Sequence, residues 1–353
     1  MSATPFSRLQ RNNFDLLRLV FASMVCLVHA YQLSGFRQLG WIAKVFSSAI
    51  AVKGFFVVSG FLIFLSYDRS KSWAGYAEKR VRRIYPAYFT VVTFTALGLA
   101  AISSRPLSEY FSIAWLKYLA ANLSFLNFLQ LTVPGVFESN KLAAVNGALW
   151  TLKIEVLFYL AVPLFSVLFR RFGRWPILLA TYCGSVLYVS LCEALAQRTG
   201  SGLYRELVNQ LPGQLSYFIA GAALYYYRPW FEKFMKPLAL AAGMILLIHR
   251  WVPLPLLEPA ALGTIVVFAA LYFYLGNVGK FGDFSYGIYI LHFPIIQLLI
   301  DRGWLQQTPG YFLAAVVTAT LFGAVLLWHG VEKRFLLRNS HYVEASAAAG
   351  AES

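Results

Sequence analysis

Acidic residues are scarce in this chain, fifteen Asp and Glu among 353 residues against thirty Lys and Arg. Charged residues together make up only 13% while 59% are hydrophobic, too apolar for an ordinary soluble protein of this length. A long polar stretch is also missing, which leaves no room for a separate soluble domain. There are three cysteines, Cys26, Cys183 and Cys192, all in apolar runs without CxxC or disulfide spacing, which argues against a disulfide framework. The five histidines show no HExxH or similar spacing, so no metal site is expected. No P-loop, GxSxG elbow or sustained internal repeat occurs, which speaks against the nucleotide hydrolases, serine hydrolases and solenoids those patterns mark. The first apolar run lacks a small-residue cleavage site after it and is expected to be retained.

What the chain does contain is a series of apolar stretches, each about 20 residues and long enough to cross a hydrocarbon core of roughly 30 Å. They lie near 14–33, 47–67, 84–103, 148–169, 175–195, 211–227, 237–250, 257–276, 284–300 and 311–330. A further apolar piece, 114–131, raises the question of ten crossings or eleven. With ten crossings and a cytoplasmic N-terminus, eighteen Lys and Arg fall inside and nine outside. An eleventh crossing makes the two sides about equal, so the positive-inside rule selects ten. The fold expected is therefore all-α, a polytopic transmembrane bundle over residues 1–339 with 114–131 external or re-entrant. A flexible cytoplasmic tail is expected over 340–353. The net charge of +15 lies between spans rather than along one stripe, so no nucleic-acid partner is expected.

Ionisable groups inside spans are costly and face a protein interior or a water-filled cavity. Arg18 and His29 share one face of the first span, eleven residues and roughly 16 Å apart. The cluster Arg80-Val81-Arg82-Arg83 stands where the third span is expected to begin. Positive charge there opposes the helix dipole, and an anionic ligand would relieve the conflict; a topology determinant at the lipid headgroups is the alternative. In the fourth span Lys153 and Glu155 point to different sides. Glu155 reads either as a buried ion pair, with Lys53 as candidate partner, or as a charge that orients a catalytic group. Ser285, Tyr289 and His292 share a face of the ninth span, just before Pro294, which frees a carbonyl one turn earlier for a side chain or water. A histidine beside such a kink is more often structural than catalytic. Ser59-Gly60 suits close helix approach, with a ligand channel as the alternative.

These residues, in order, resemble the membrane acyltransferase 3 family, bacterial O-acyltransferases of cell-surface glycans or small molecules, from about Phe14 to Phe335. The elements are Arg18 with His29, Phe55 to Leu62, Arg80-Val81-Arg82-Arg83 with Tyr85-Pro86, Trp150-Thr151-Leu152 with Glu155, Phe158-Tyr159 and Pro163, and Ser285-Tyr286 with Tyr289 and His292. The resemblance implies acyl-CoA, acetyl-CoA above all, as donor and a carbohydrate or glycolipid hydroxyl as acceptor, in the bacterial inner membrane; the Lys and Arg distribution puts both termini in the cytoplasm. It implies His29 as the catalytic histidine, and Arg18, Arg80 and Arg83 in donor binding or catalysis. A histidine titrating near neutrality suits general-base activation of a hydroxyl, and Glu155 is the carboxylate expected to hold its ring. A glycan exporter or flippase is the rival class, since intramembrane Arg, His and Glu also mark transport pathways, but neither an inverted repeat nor paired broken helices is visible.

Overall fold

The structure is a computed structural model that describes Leu9 and residues 11–337. The tail expected over 340–353 lies outside the described residues, as do Arg8 and Arg338. Eleven helices of ten residues or more are described: α1 Phe14–Ser34, α2 Ser48–Asp68, α3 Trp73–Gly98, α4 Ile113–Leu123, α5 Trp150–Phe172, α6 Arg174–Thr199, α7 Leu211–Tyr226, α8 Arg228–His249, α9 Glu258–Leu271, α10 Ser285–Asp301 and α11 Pro309–Leu327. No strand occurs among the described residues. The fold is an all-α polytopic bundle.

Six helical stretches, those holding α1, α2, α3, α5, α6 and α11, are long and apolar enough to cross a membrane, and α9 and α10 are shorter apolar helices. The two remaining expected spans correspond to α7 and α8. In the segment 114–131 the helix α4 has 11 residues. It rises about 16 Å, half of what a crossing needs. Large apolar side chains project outward from the bundle, with Leu187 of α6 at 70%, Leu247 of α8 at 72% and Phe322 of α11 at 65% exposure. Such surface is unfavourable in water and suited to lipid.

The chain packs as two compact units, and α1, α2, α3 and α5 each contribute to both. The first comprises Met1–Leu17, Val52–Ala77 and Ile154–Asn277. In it α7 packs on α6 and α9, and α9 on α8. Two glycines bring α2 and α7 together. A Cβ on Gly60 would stand 1.9 Å from the Phe218 carbonyl oxygen, and one on Gly221 2.0 Å from that of Val57. This is the close approach expected of Ser59-Gly60. Around it Phe64, Phe158 and Phe218 form an aromatic core, the last two stacked at 4.1 Å. Pro163 leaves the Tyr159 carbonyl without its helical donor, and the buried Tyr76 hydroxyl supplies one at 3.1 Å. Asn13 ties the start of α1 to the end of α9. Its backbone N–H donates to Ala270 and its side-chain amide to Ala269, while its side-chain oxygen accepts from Leu275. These bonds satisfy carbonyls and an N–H where α9 stops at Leu271, five residues before the span expected from hydropathy ends.

The second unit comprises Arg18–Ala51, Glu78–Lys153 and Val278–Ser353. Here α10 and α11 form an antiparallel pair with Gly287 against Ala324. The long irregular connection that follows α4 is fastened to α10. Gln297, 1% exposed, donates to the carbonyls of Leu142 and Ala144, and Asn140 donates to the Gln297 carbonyl and side-chain oxygens.

One sequence expectation needs correction here. The Arg80–Arg83 cluster does not stand at a helix start, because α3 begins at Trp73, and Ser72 caps it by accepting the Gly75 N–H at 3.1 Å. Helical backbone thus continues well before the apolar part of the span. The proposed conflict with the helix dipole is absent at these arginines, since that effect fades within the first turn.

Candidate active site

Two polar clusters lie within the second unit, and four elements build the first. Arg18 is the first residue of α1 that belongs to this unit, and Arg83 lies ten residues into α3. Asp283 precedes α10, in the turn after Gly282, whose φ of 118° no other residue type adopts easily. The Asp283 carboxylate caps α10, accepting from the Ser285 N–H at 3.1 Å and from the Ser285 hydroxyl. Its other oxygen pairs with both Arg18 and Arg83. A second guanidinium nitrogen of Arg83 reaches Glu332 at 3.0 Å. Side-chain exposure is 2% for Asp283, 1% for Glu332 and 10% for Arg83. Two guanidiniums thus face two carboxylates out of water, where each charge depends on its partners. Glu332 closes a π-helical turn, Trp328–Glu332, that ends α11. Such turns often occur at functional sites.

The second cluster is a pair of histidines. His29 Nδ1 lies 2.8 Å from His292 Nε2, with ring centroids 5.1 Å apart. His292 is fully buried, and its Nδ1 lies 3.1 Å from the Ile288 carbonyl oxygen. A carbonyl only accepts, so in the neutral ring His292 Nδ1 carries the hydrogen and its Nε2 carries a lone pair. His29 Nδ1–H then donates to that lone pair, which leaves the basic lone pair of His29 on Nε2. Phe293 packs edge-on against the His29 ring at 5.6 Å, while His29 itself stays partly exposed.

The carbonyl freed by Pro294 meets a side chain, one of the two partners the sequence suggested. Pro294 leaves the Ile290 carbonyl without a helical donor, and the buried Asn146 amide supplies one at 2.8 Å. Tyr289, on the same face, bonds Thr151 at 2.6 Å and packs against His292 with centroids 5.9 Å apart. Ser285, Tyr289 and His292 therefore each make a specific contact on the face their spacing defines.

The remaining expected residues lie elsewhere. Glu155 belongs to the first unit and accepts from the Tyr159 hydroxyl at 2.6 Å. Lys153 belongs to the second, its ammonium over the Phe128 ring at 4.7 Å. Lys53 is not the partner of Glu155. It pairs with Glu258 at 2.7 Å, and Tyr217 donates to the same carboxylate at 2.7 Å. Glu258 stands at the first position of α9, where a carboxylate is favoured by the helix dipole. Arg80 lies one turn before Arg83 on α3.

In a comparison against known families, residues 11–329 match the Acyltransferase domain. The chain belongs to the acyltransferase 3 family. It is 28% identical to Nodulation protein 10 of Rhizobium leguminosarum bv. viciae, over 92% of each chain. It is also 28% identical to an O-acetyl transferase of Shigella phage Sf6, over 93% of this chain and 97% of that one. Exopolysaccharide production protein ExoZ of Rhizobium meliloti (strain 1021) is 26% identical over 78% of this chain and 86% of that one. No solved structure matches. The protein is a membrane acyltransferase.

In this acyltransferase, sequence reasoning passed over Asp283, Glu332 and Asn146. The scarcity of acidic residues was the available signal for the first two, since a carboxylate next to an apolar span needs a partner. Asn146 had no local signal, because its role depends on a proline 148 residues later in the chain.

Proposed function

We propose that this acyltransferase takes acyl-CoA, with acetyl as the acyl group, from the cytoplasm and esterifies a hydroxyl of a carbohydrate-containing acceptor. The setting is the bacterial inner membrane, with both termini cytoplasmic. The Shigella phage relative named an O-acetyl transferase and the relative named for exopolysaccharide production support this chemistry and this acceptor class. The observation that carries the reading is the chain Ile288 carbonyl, His292, His29, which leaves His29 Nε2 as a base with a defined tautomer.

An acceptor hydroxyl, with a pKa far above 7, attacks a thioester poorly unless a base removes its proton. His29 Nε2 takes that proton as the oxygen bonds to the thioester carbonyl carbon. The tetrahedral intermediate collapses with cleavage of the carbon–sulfur bond, and the proton passes from His29 to the departing CoA sulfur. During the step His29 is an imidazolium, and its Nδ1–H points at the His292 lone pair. This reading gives His292 the orienting role that sequence reasoning placed on Glu155, whose carboxylate instead accepts from Tyr159. Arg18, Arg80 and Arg83 frame the donor side of the same unit. Arg18 and Arg83 are balanced by Asp283 and Glu332, so they position groups rather than attract anions by net charge.

The test uses purified protein, labelled acetyl-CoA and a panel of glycans and glycolipids. Label on a glycan that depends on His29 supports the reading. Glycan accumulating unmodified inside vesicles would instead mark a transporter, and transfer undiminished in His29→Ala would remove the base.

A further inference from the structure

In the second unit Arg18 and Arg83 are matched by Asp283 and Glu332, but the first unit holds a cleft where positive charge is in excess. Arg170 lies in the last turn of α5, Arg174 opens α6, Arg69 follows α2 and Arg228 opens α8. They line two adjoining cavities of about 420 and 380 Å³ that share Asp68, Arg174 and Tyr226. Two carboxylates stand among the four guanidiniums. Asp68 accepts from the Tyr225 and Tyr226 hydroxyls at 3.1 and 3.4 Å, and Glu232 lies 3.2 Å from Arg228. The local balance is two positive charges in excess.

Helix electrostatics add to that excess. Arg174 and Arg228 are the first residues of helices of 26 and 22 residues. Neither helix has an acidic residue in its first turn, and neither N-cap residue, Gly173 or Tyr227, makes a side-chain cap. Each N-terminus carries about half a positive charge and presents backbone N–H groups. A cation at that position is disfavoured unless an anion joins it. The conflict expected at Arg80–Arg83 is thus absent there and present here. Tyr226 supplies a flat face, with the Arg174 guanidinium 4.5 Å above its ring.

We propose that this cleft binds a phosphoryl group of charge near minus two. Guanidinium forks and helix N-termini both suit phosphate oxygens. Resting on the reading that acyl-CoA is the donor, the ligand is the phosphorylated nucleotide end of CoA. An anionic phospholipid headgroup offers the same phosphate oxygens with a single negative charge, and the experiment separates the two sources.

The full chain is placed in phosphatidylcholine nanodiscs and titrated calorimetrically with CoA and with 3′-dephospho-CoA. The variant is Arg170→Gln with Arg174→Gln, and Arg171→Gln, next to the cleft but not lining it, is the control. Lost charge-assisted hydrogen bonds predict CoA binding about tenfold weaker or more in the double variant, with the control unchanged. Retention of phosphatidylglycerol over phosphatidylcholine during purification is measured in parallel. CoA affinity unchanged but phosphatidylglycerol preference lost assigns the cleft to lipid phosphate. Both unchanged in a variant with wild-type thermal stability overturns the proposal. His29→Gln should bind CoA as the wild type does, so a failure of the catalytic reading is seen in turnover and a failure of the cleft in binding.

Discussion

His292→Leu tests the imidazole chain most directly. The leucine fills much of the fully buried space of the ring but offers no acceptor to the His29 Nδ1–H, now 2.8 Å from His292 Nε2. In the transition state that N–H belongs to an imidazolium, and a hydrogen bond from a charged donor contributes about 1.5–3 kcal/mol. At about 1.4 kcal/mol per factor of ten, kcat should fall roughly 10- to 150-fold. Donor KM should stay near the wild-type value, because the lost bond matters once charge develops on His29. His292→Gln keeps a carbonyl oxygen able to accept from Nδ1–H and should recover part of the loss. The assay is the initial rate of labelled acetyl transfer, with thermal denaturation to confirm folding. A His292→Leu enzyme that is stable and turns over within twofold of wild type would refute the reasoning, and so would a loss confined to KM.

Asp283→Asn removes the shared partner of Arg18 and Arg83 and should cost about 3–5 kcal/mol, read as a lower midpoint of thermal denaturation in detergent. Asn146→Leu leaves the Ile290 carbonyl beside Pro294 without its donor and should cost about 1–3 kcal/mol, whereas Asn146→Gln should cost less, by the same measurement. Gly60→Ala puts a methyl 1.9 Å from the Phe218 oxygen and should lower stability by about 1–3 kcal/mol or more, and a stable, fully active variant would contradict the close α2–α7 crossing. A topology reporter fused after Pro134 should report the side of the membrane opposite to the cytoplasm, and a cytoplasmic signal would overturn the assigned orientation.

Much of the fold follows from quantities local in sequence. Apolar length marked ten helices, and Lys and Arg asymmetry kept 114–131 from becoming an eleventh. Helix ends were less legible. Hydropathy placed the start of the third span at residue 84, while the helix starts at Trp73 because Ser72 caps it and charged residues are good helix formers outside hydrocarbon. Periodicity put Ser285, Tyr289 and His292 on one face, and proline chemistry predicted an orphan carbonyl one turn before Pro294. Neither could name what meets them, because Asp283 lies outside the helix, and Thr151, Asn146 and His29 arrive from other parts of the chain.

The sequence by itself determined that this protein lives in a membrane, that it is helical, and that Arg18 and His29 are too costly in hydrocarbon to face lipid. Those conclusions rest on transfer energies and helical period, which depend on a residue and its near neighbours. Only the tertiary structure decided the pairings. Lys53 met Glu258 rather than Glu155, Arg18 and Arg83 met on Asp283, and His29 met His292. A buried charge or ring nitrogen must have a partner, but which one depends on helix packing between segments hundreds of residues apart.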